Sequence, residues 1–184
     1  NPCGEILLRD MEFCNLTEVI ARPDDTEDDL ARKVRLAAVI GTWQSTLTDF
    51  KHLRSAWKTN CDEERLLGVS LTGIYGSALL NDPDDDDLPK RLRRLRTEAH
   101  IANRTEAALL GINPSAAITC VKPSGTVSQL TGVSSGIHPW HSEQYIRSVR
   151  GSNTDPLTQM LKDAGIPNEP ELMKPDDVTV FSFP

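Results

Sequence analysis

The run LLGVSL at residues 66–71, which leads directly into Thr72-Gly73, is the stretch that decides the fold. A short and nearly continuous apolar run that ends in a turn is typical of a buried strand. Two similar runs, AAITCV at residues 116–121 and VTVFSF at residues 178–183, predict two further buried strands. A shorter strand or extended segment is predicted within residues 12–20, EFCNLTEVI.

Helical patterns separate these strands. Apolar residues at helical spacing predict a helix over residues 27–57, which Asp25 or Thr26 would cap and which Gly41 could interrupt. A second helix is predicted over residues 88–110, where Gly111 provides a stop signal.

Two more helices are predicted towards the end of the chain, a short one within residues 142–150 and one that Asp155 caps and that runs to Ala164. The alternation of strands and helices predicts an α/β architecture with mainly parallel strands. No boundary in the sequence divides the chain into two domains.

Composition excludes several classes of protein. The 184 residues are 38% hydrophobic and 26% charged, as expected for a globular domain, and the net charge of −7 argues against a nucleic-acid partner. No apolar run approaches 18 residues and no signal peptide is visible, so we expect a cytoplasmic protein without a membrane partner. Because the chain starts at Asn1 and stops within a predicted strand, we expect truncation at both ends.

The opening NPCGE places the thiol of Cys3 and the carboxylate of Glu5 two residues apart. In an extended loop, side chains two residues apart point the same way. A carboxylate beside a substrate hydroxyl can act as a general base, and a thiol as a nucleophile or hydrogen-atom donor. Asn1 could hold the substrate through its amide. On local grounds alone, a turn with an inert cysteine explains the motif equally well.

The segment KPSGTVSQ follows a predicted strand and opens a short helix at Thr126. Small residues at a helix start let backbone N–H groups approach an anion, and the hydroxyls of Ser124, Thr126 and Ser128 add donors. A plain glycine-rich turn remains an alternative interpretation of this segment.

Cys14, Cys61 and Cys120 have the local patterns of small apolar residues. His138 and His141 are too few for a metal site, so no metal is predicted.

Taken in order, NPCGEI, FCNL, LLGVSLTGI and ITCVKPSGTVSQLTGVSSGIHPWH resemble the ribonucleotide reductases, most closely class II, the adenosylcobalamin-dependent enzymes. Within that class the chain resembles the monomeric type that reduces ribonucleoside triphosphates. The resemblance implies a ten-stranded α/β barrel, of which residues 1–10 would be the finger loop and residues 11–184 most of the second half-barrel, as a single partial catalytic domain.

The resemblance also implies residue roles. Cys3 matches the thiyl-radical cysteine that removes hydrogen from C3′ of the ribose, Glu5 the base for the 3′-hydroxyl proton, and Asn1 the amide that binds the ribose hydroxyls. Cys14 matches one of the two cysteines that supply the reducing equivalents. The residues that match the phosphate-binding segment are Ser124, Gly125, Thr126, Val127 and Ser128.

The implied cofactor is adenosylcobalamin, and the implied partners are a ribonucleoside triphosphate, a thioredoxin-like or dithiol reductant, and an N-terminal half-barrel on the same or a separate chain. That half-barrel would carry the partner of Cys14. The resemblance also implies that the C-terminal cysteine pair and most of the cobalamin site lie outside this chain, so we expect no turnover from this chain alone. Three alternatives stay open: a class I large-subunit fragment, a non-catalytic nucleotide-binding half of a split reductase, and a thiol-redox protein that uses Cys3 and Cys14.

Overall fold

The computed structural model describes residues 4–184, so Asn1 and Cys3 lie outside the described residues. The described chain forms two compact units, residues 4–140 and residues 141–184. The sequence patterns showed no such boundary. The first unit contains β1 (Asn15–Ile20), α1 (Glu27–Gln44), α2 (Ser55–Glu64), β2 (Leu67–Thr72), α3 (Leu88–Leu110) and α4 (Thr126–Thr131).

Strand β2 is the centre of the first unit, as its apolar sequence predicted. On one side it pairs in parallel with β1 in the register Asn15 to Leu67. On its other side lies the segment predicted as a strand over residues 116–121. There the Val69 amide donates to the Ile118 carbonyl at 2.8 Å, and the Cys120 amide donates to the Val69 carbonyl at 3.0 Å. This segment runs parallel to β2 through a single bridge rather than a full strand.

Helices α1 and α3 pack together and cover one face of these strands. The buried core consists of Val19, Ala21, Leu30, Ala31, Val34, Ala37, Ala38, Leu67, Val69, Leu80, Leu95, Ala99, Ala102 and Ile118. Gly41 does not interrupt α1. A Cβ at this position would lie 3.3 Å from the Leu67 side chain, so the glycine permits close packing of the helix on β2.

The predicted start of α1 is confirmed and the predicted end is wrong. Thr26 is the N-cap: its hydroxyl accepts the Asp29 amide at 3.2 Å, and the Asp29 carboxylate accepts the Thr26 amide at 3.1 Å. The helix stops at Gln44, not near residue 57. The Ser45 hydroxyl donates to the Thr42 carbonyl at 2.6 Å, which satisfies a carbonyl of the last turn and favours an exit from the helix.

The predicted bounds of α3 are confirmed, and Gly111 ends the helix with a φ of 66°. This helix carries a fully buried polar residue, Asn103. Its side-chain amide donates to Thr42 at 2.8 Å and to Ser115 at 2.9 Å, and its carbonyl oxygen accepts the Ser115 amide at 3.0 Å. Asn103 therefore connects α1, α3 and the segment at Ser115 through one hydrogen-bond network that satisfies its buried amide.

The second unit is a three-stranded antiparallel sheet with one helix. It contains β3 (Arg147–Ser152), α5 (Pro156–Asp163), β4 (Asn168–Pro170) and β5 (Val178–Phe183), in the sheet order β3-β5-β4. The predicted strand at residues 178–183 and the Asp155 cap are confirmed.

Two predictions are wrong in this unit. The helix predicted within residues 142–150 is replaced by β3, because Val149 and its neighbours pair with β5 in the register Val149 to Phe181. That pairing is distant in sequence and leaves no local pattern. The expectation of mainly parallel strands also fails here, since both strand pairs are antiparallel. None of the helices within residues 4–184 is long and apolar enough to cross a membrane.

Candidate active site on the glycine-bared face of the sheet

The face of β2 that points away from α1 is bare at Gly68, since successive residues of a strand point to opposite faces and Leu67 points into the core. Three side chains converge on this glycine. A Cβ at Gly68 would lie 2.5 Å from Leu16 Cδ2, 2.7 Å from Ile6 Cδ1 and 3.1 Å from Cys120 Sγ. The segment that follows the opening motif can therefore approach the sheet only because residue 68 lacks a side chain.

Glu5 lies beside this contact and is nearly withdrawn from water. Its side chain is 2% exposed, and its Oε1 accepts a hydrogen bond from Lys122 Nζ at 3.3 Å. Its Oε2 is buried and has no hydrogen-bond partner among the described residues. The pKa of Glu5 lies below its ordinary value, first because its own backbone N–H donates to the carboxylate and further because of Lys122, while burial opposes the shift. At neutral pH Glu5 is therefore a carboxylate, and its Oε2 finds no hydrogen-bond partner within residues 4–184.

Two thiols face this carboxylate, those of Cys14 and Cys120, and both are free. Burial raises the pKa of Cys14, and the charge of Glu5 raises it further. Burial likewise raises the pKa of Cys120 to about 11, with smaller contributions from Glu5 and Cys14. Both thiols are therefore protonated at neutral pH. A protonated thiol retains its hydrogen atom and is a weak metal ligand and nucleophile.

Cys61 is not part of this group. It is buried in α2, where its sulfur accepts the Phe13 amide at 3.3 Å. This agrees with the reading of Cys61 as a structural residue, because the thiol satisfies a backbone donor at the approach to β1.

The loop that follows Lys122 is anchored at the carboxyl end of β2. The Thr72 hydroxyl donates to the Ser134 carbonyl at 3.0 Å and accepts the Gly136 amide at 2.7 Å, and the Gly73 amide donates to the Ser134 carbonyl at 2.8 Å. Ligands of α/β sheets commonly bind at the carboxyl ends of the strands. The loop is therefore placed where a ligand of this sheet is expected.

The predicted phosphate-binding residues divide into two groups. Ser124 and Ser128 are buried and bond to the loop itself: the Ser124 hydroxyl accepts the Ser128 amide at 3.1 Å, and the Ser128 hydroxyl donates to the Gly125 carbonyl at 3.0 Å. These two hydroxyls shape the loop in this conformation. Gly125, Thr126 and Val127 are exposed at the start of α4, where the first helical N–H groups have no carbonyl partner within the helix.

The sequence analysis listed Glu5 and Cys14 as candidate catalytic residues, and it assigned no role to two of their neighbours. Lys122 was quoted only as the start of a loop, and Cys120 was read as an inert strand residue. A signal for both exists: residues 120 and 122 lie two apart in an extended segment, so their side chains share a face. No group of three or more metal-binding side chains occurs within residues 4–184.

Comparison with known proteins identifies similar sequences and a similar crystal structure. No family model matches the chain. Adenosylcobalamin-dependent ribonucleoside-triphosphate reductases from Lactobacillus gasseri and Lactobacillus acidophilus are 32% and 30% identical to it over its full length. A crystal structure of a B12-dependent (class II) ribonucleotide reductase covers all of the chain at 29% identity, with a TM-score of 0.78. The chain spans about 27% of the length of these curated relatives and 28% of the crystallised chain.

Proposed function

We propose that this chain, which is homologous to a segment of the class II ribonucleotide reductases, contributes part of the active site of an enzyme that reduces ribonucleoside triphosphates to deoxyribonucleotides. The observation that carries the proposal is that the Glu5 carboxylate interacts with the thiols of Cys14 and Cys120, the second of which lies against Gly68 of β2. This arrangement supplies a base and a reductant side by side, as the reaction requires.

The roles follow from the state of each group. Glu5, held as a carboxylate, accepts the proton of the ribose 3′-hydroxyl after Cys3 has taken the hydrogen atom from C3′. Removal of that proton helps to expel the 2′-hydroxyl as water. Cys14, held as a thiol, supplies one of the two sulfur atoms that end as a disulfide and so deliver two electrons. Asn1 binds the ribose hydroxyls. Asn1 and Cys3 both lie outside the described residues.

The phosphates of the substrate would bind at the loop formed by residues 124–128. We assign the contact to the backbone amides at Gly125, Thr126 and Val127 and to the Ser124 hydroxyl, which accepts the Ser128 amide and so keeps its own hydrogen to donate. The Ser128 hydroxyl already donates to the Gly125 carbonyl. A thioredoxin-like protein or a small dithiol would then reduce the disulfide that each turnover leaves.

Adenosylcobalamin, when bound to the complete enzyme, would supply the radical that oxidises Cys3. The described residues fit such chemistry in one respect. The thiols of Cys14 and Cys120 are protonated, so neither would compete as a metal ligand.

We further propose that residues 11–184 form most of the second half of a ten-stranded α/β barrel, with residues 1–10 as its finger loop. Among the described residues β1 pairs only with β2, and neighbouring α1 exposes Leu36, Ile40 and Trp43. An unpaired edge beside exposed apolar residues favours association. The isolated chain should therefore self-associate at micromolar concentration, and a monomer at all concentrations in light scattering would count against the half-barrel assignment.

The activity can be tested by grafting this segment into the Lactobacillus gasseri relative in place of its homologous region. The graft should form deoxycytidine triphosphate from CTP when it is given adenosylcobalamin and a dithiol. Product should disappear in Cys3→Ser and in Glu5→Gln, and persist in the matched control Cys61→Ser, whose hydroxyl can still accept the Phe13 amide. A folded graft without product, or full activity in Cys3→Ser, would refute the proposal.

A further inference from the structure

Lys122 is the residue whose role the proposed function does not yet explain. Its ammonium group reaches the carboxylate of Glu5 across 117 positions of sequence, at 3.3 Å, and its own side chain is 26% exposed. Of the two Glu5 oxygens, Oε1 accepts from Lys122, while the buried Oε2 has no hydrogen-bond partner among the described residues. Among the described residues, one carboxylate oxygen of Glu5 is therefore bonded to Lys122 and the other has no hydrogen-bond partner.

A nearly buried carboxylate needs a reason to remain charged, because withdrawal from water favours the protonated form. Among the described residues, the charged and titratable groups that face Glu5 are Lys122, Cys14 and Cys120. The two thiols are neutral at pH 7, so Lys122 is the one cation in this set.

Lys122 is also the first residue of the loop that precedes α4, and its backbone packs closely against Gly136. A Cβ at Gly136 would lie 2.5 Å from the Lys122 carbonyl oxygen and 3.1 Å from Pro123 Cα. The Ser135 hydroxyl donates to the Ser124 carbonyl in the same region. The side chain of Lys122 therefore holds the carboxylate, and its backbone positions the loop assigned to the substrate phosphates.

We propose that Lys122 is a positioning residue for the reaction: it holds the Glu5 carboxylate through Oε1, leaves Oε2 as the acceptor for the ribose 3′-hydroxyl, and ties that carboxylate to the phosphate-binding loop. The inference rests on the proposed function for the identity of the hydroxyl. The ion pair itself can be tested without turnover.

The test uses ¹³C-labelled glutamate in this chain, with the Glu5 carboxyl signal assigned from Glu5→Gln. In Lys122→Met the pKa of Glu5 should rise by about one unit or more, as expected when an opposite charge is removed. Lys122→Arg, which keeps the charge, should leave most of the shift in place. Lys51→Met is the matched control, because this lysine is exposed and its ion pair is with Asp49 rather than with Glu5, so the pKa of Glu5 should not change.

The grafted enzyme provides the second readout. The acidic limb of its kcat/KM profile should move to higher pH in Lys122→Met, with activity recovering at alkaline pH, whereas a general loss of structure would lower activity at every pH. An unchanged Glu5 pKa in folded Lys122→Met, together with an unchanged profile, would overturn the inference. A graft that is inactive in every form, while the NMR shift is present, would instead overturn the proposed function and leave the ion pair established.

Discussion

Gly136 offers the sharpest test of how the site is assembled, because a matched control lies four residues away. Gly136 and Gly132 both have left-handed backbones, with φ values of 53° and 66°. A Cβ at Gly132 would meet nothing within 4 Å, whereas a Cβ at Gly136 would lie 2.5 Å from the Lys122 carbonyl oxygen. Alanine in a left-handed conformation destabilises the folded state by the same mechanism at both positions. Only Gly136→Ala adds a steric clash with the backbone of Lys122.

The magnitudes follow from these two contributions. A left-handed alanine costs about 1–2 kcal/mol, which applies to both variants. The clash with Lys122 cannot be relieved by a side-chain rotation, since the atoms involved belong to the backbone, and forced overpacking costs about 1–3 kcal/mol more. Gly136→Ala should therefore lower the free energy of unfolding by about 1–3 kcal/mol more than Gly132→Ala.

Urea unfolding followed by circular dichroism measures this difference. The ¹³C signal of Glu5 adds a local readout, which should change in Gly136→Ala and stay constant in Gly132→Ala because only the former displaces Lys122. Equal destabilisation by the two variants, with no change at Glu5, would refute the close contact between residues 136 and 122 and the link from the loop to the carboxylate.

Three further predictions concern the supporting structure. Thr26→Ala should lower the free energy of unfolding by about 1 kcal/mol, because α1 loses its cap, while Thr26→Ser should retain most of it; thermal melts decide this. Asn103→Leu should cost about 1–3 kcal/mol in urea unfolding, because the Ser115 amide loses its acceptor, and a neutral result would show that the network is unimportant. The pKa of Cys120 is raised from 9.0 to about 11, so the folded state holds this proton more tightly and stability falls as pH rises from about 9 to about 11; Cys120→Ala should show a shallower fall.

What could be predicted from the sequence is what local patterns determine. The apolar run at residues 66–71, the cap at Thr26 and the stop at Gly111 each depend on neighbours in sequence, and each is found in the structure. The strand β3 could not be found this way, because its partner β5 lies about 30 residues away and the intervening helix hides the pairing. The end of α1 was missed because hydroxyl bonds to the helix carbonyls outweighed continuing helical periodicity.

The candidate site shows the same division. The residue types around Glu5 indicate acid–base chemistry, whereas Cys14 has the local pattern of a small apolar residue and was assigned a role only through the family resemblance. Lys122 and Cys120 acquire their importance only when the extended segment after Ile118 pairs with β2, which turns both side chains towards Glu5. Gly68 lacks a side chain and so leaves space for these residues. Its role has no local sequence signature, because an isolated glycine in a strand has many explanations.

We propose that Cys3 of this segment removes hydrogen from C3′ of a ribonucleotide, and a substrate with tritium at that position provides a direct test. A thiol hydrogen exchanges with water, so hydrogen taken from C3′ by Cys3 can escape to the solvent. The grafted enzyme, supplied with [3′-³H]CTP, adenosylcobalamin and a dithiol, should release tritium into water, and Cys3→Ser should release none. Tritium release from Cys3→Ser, or product formation by the unaltered segment with neither tritium release nor a tritium isotope effect, would contradict this proposal.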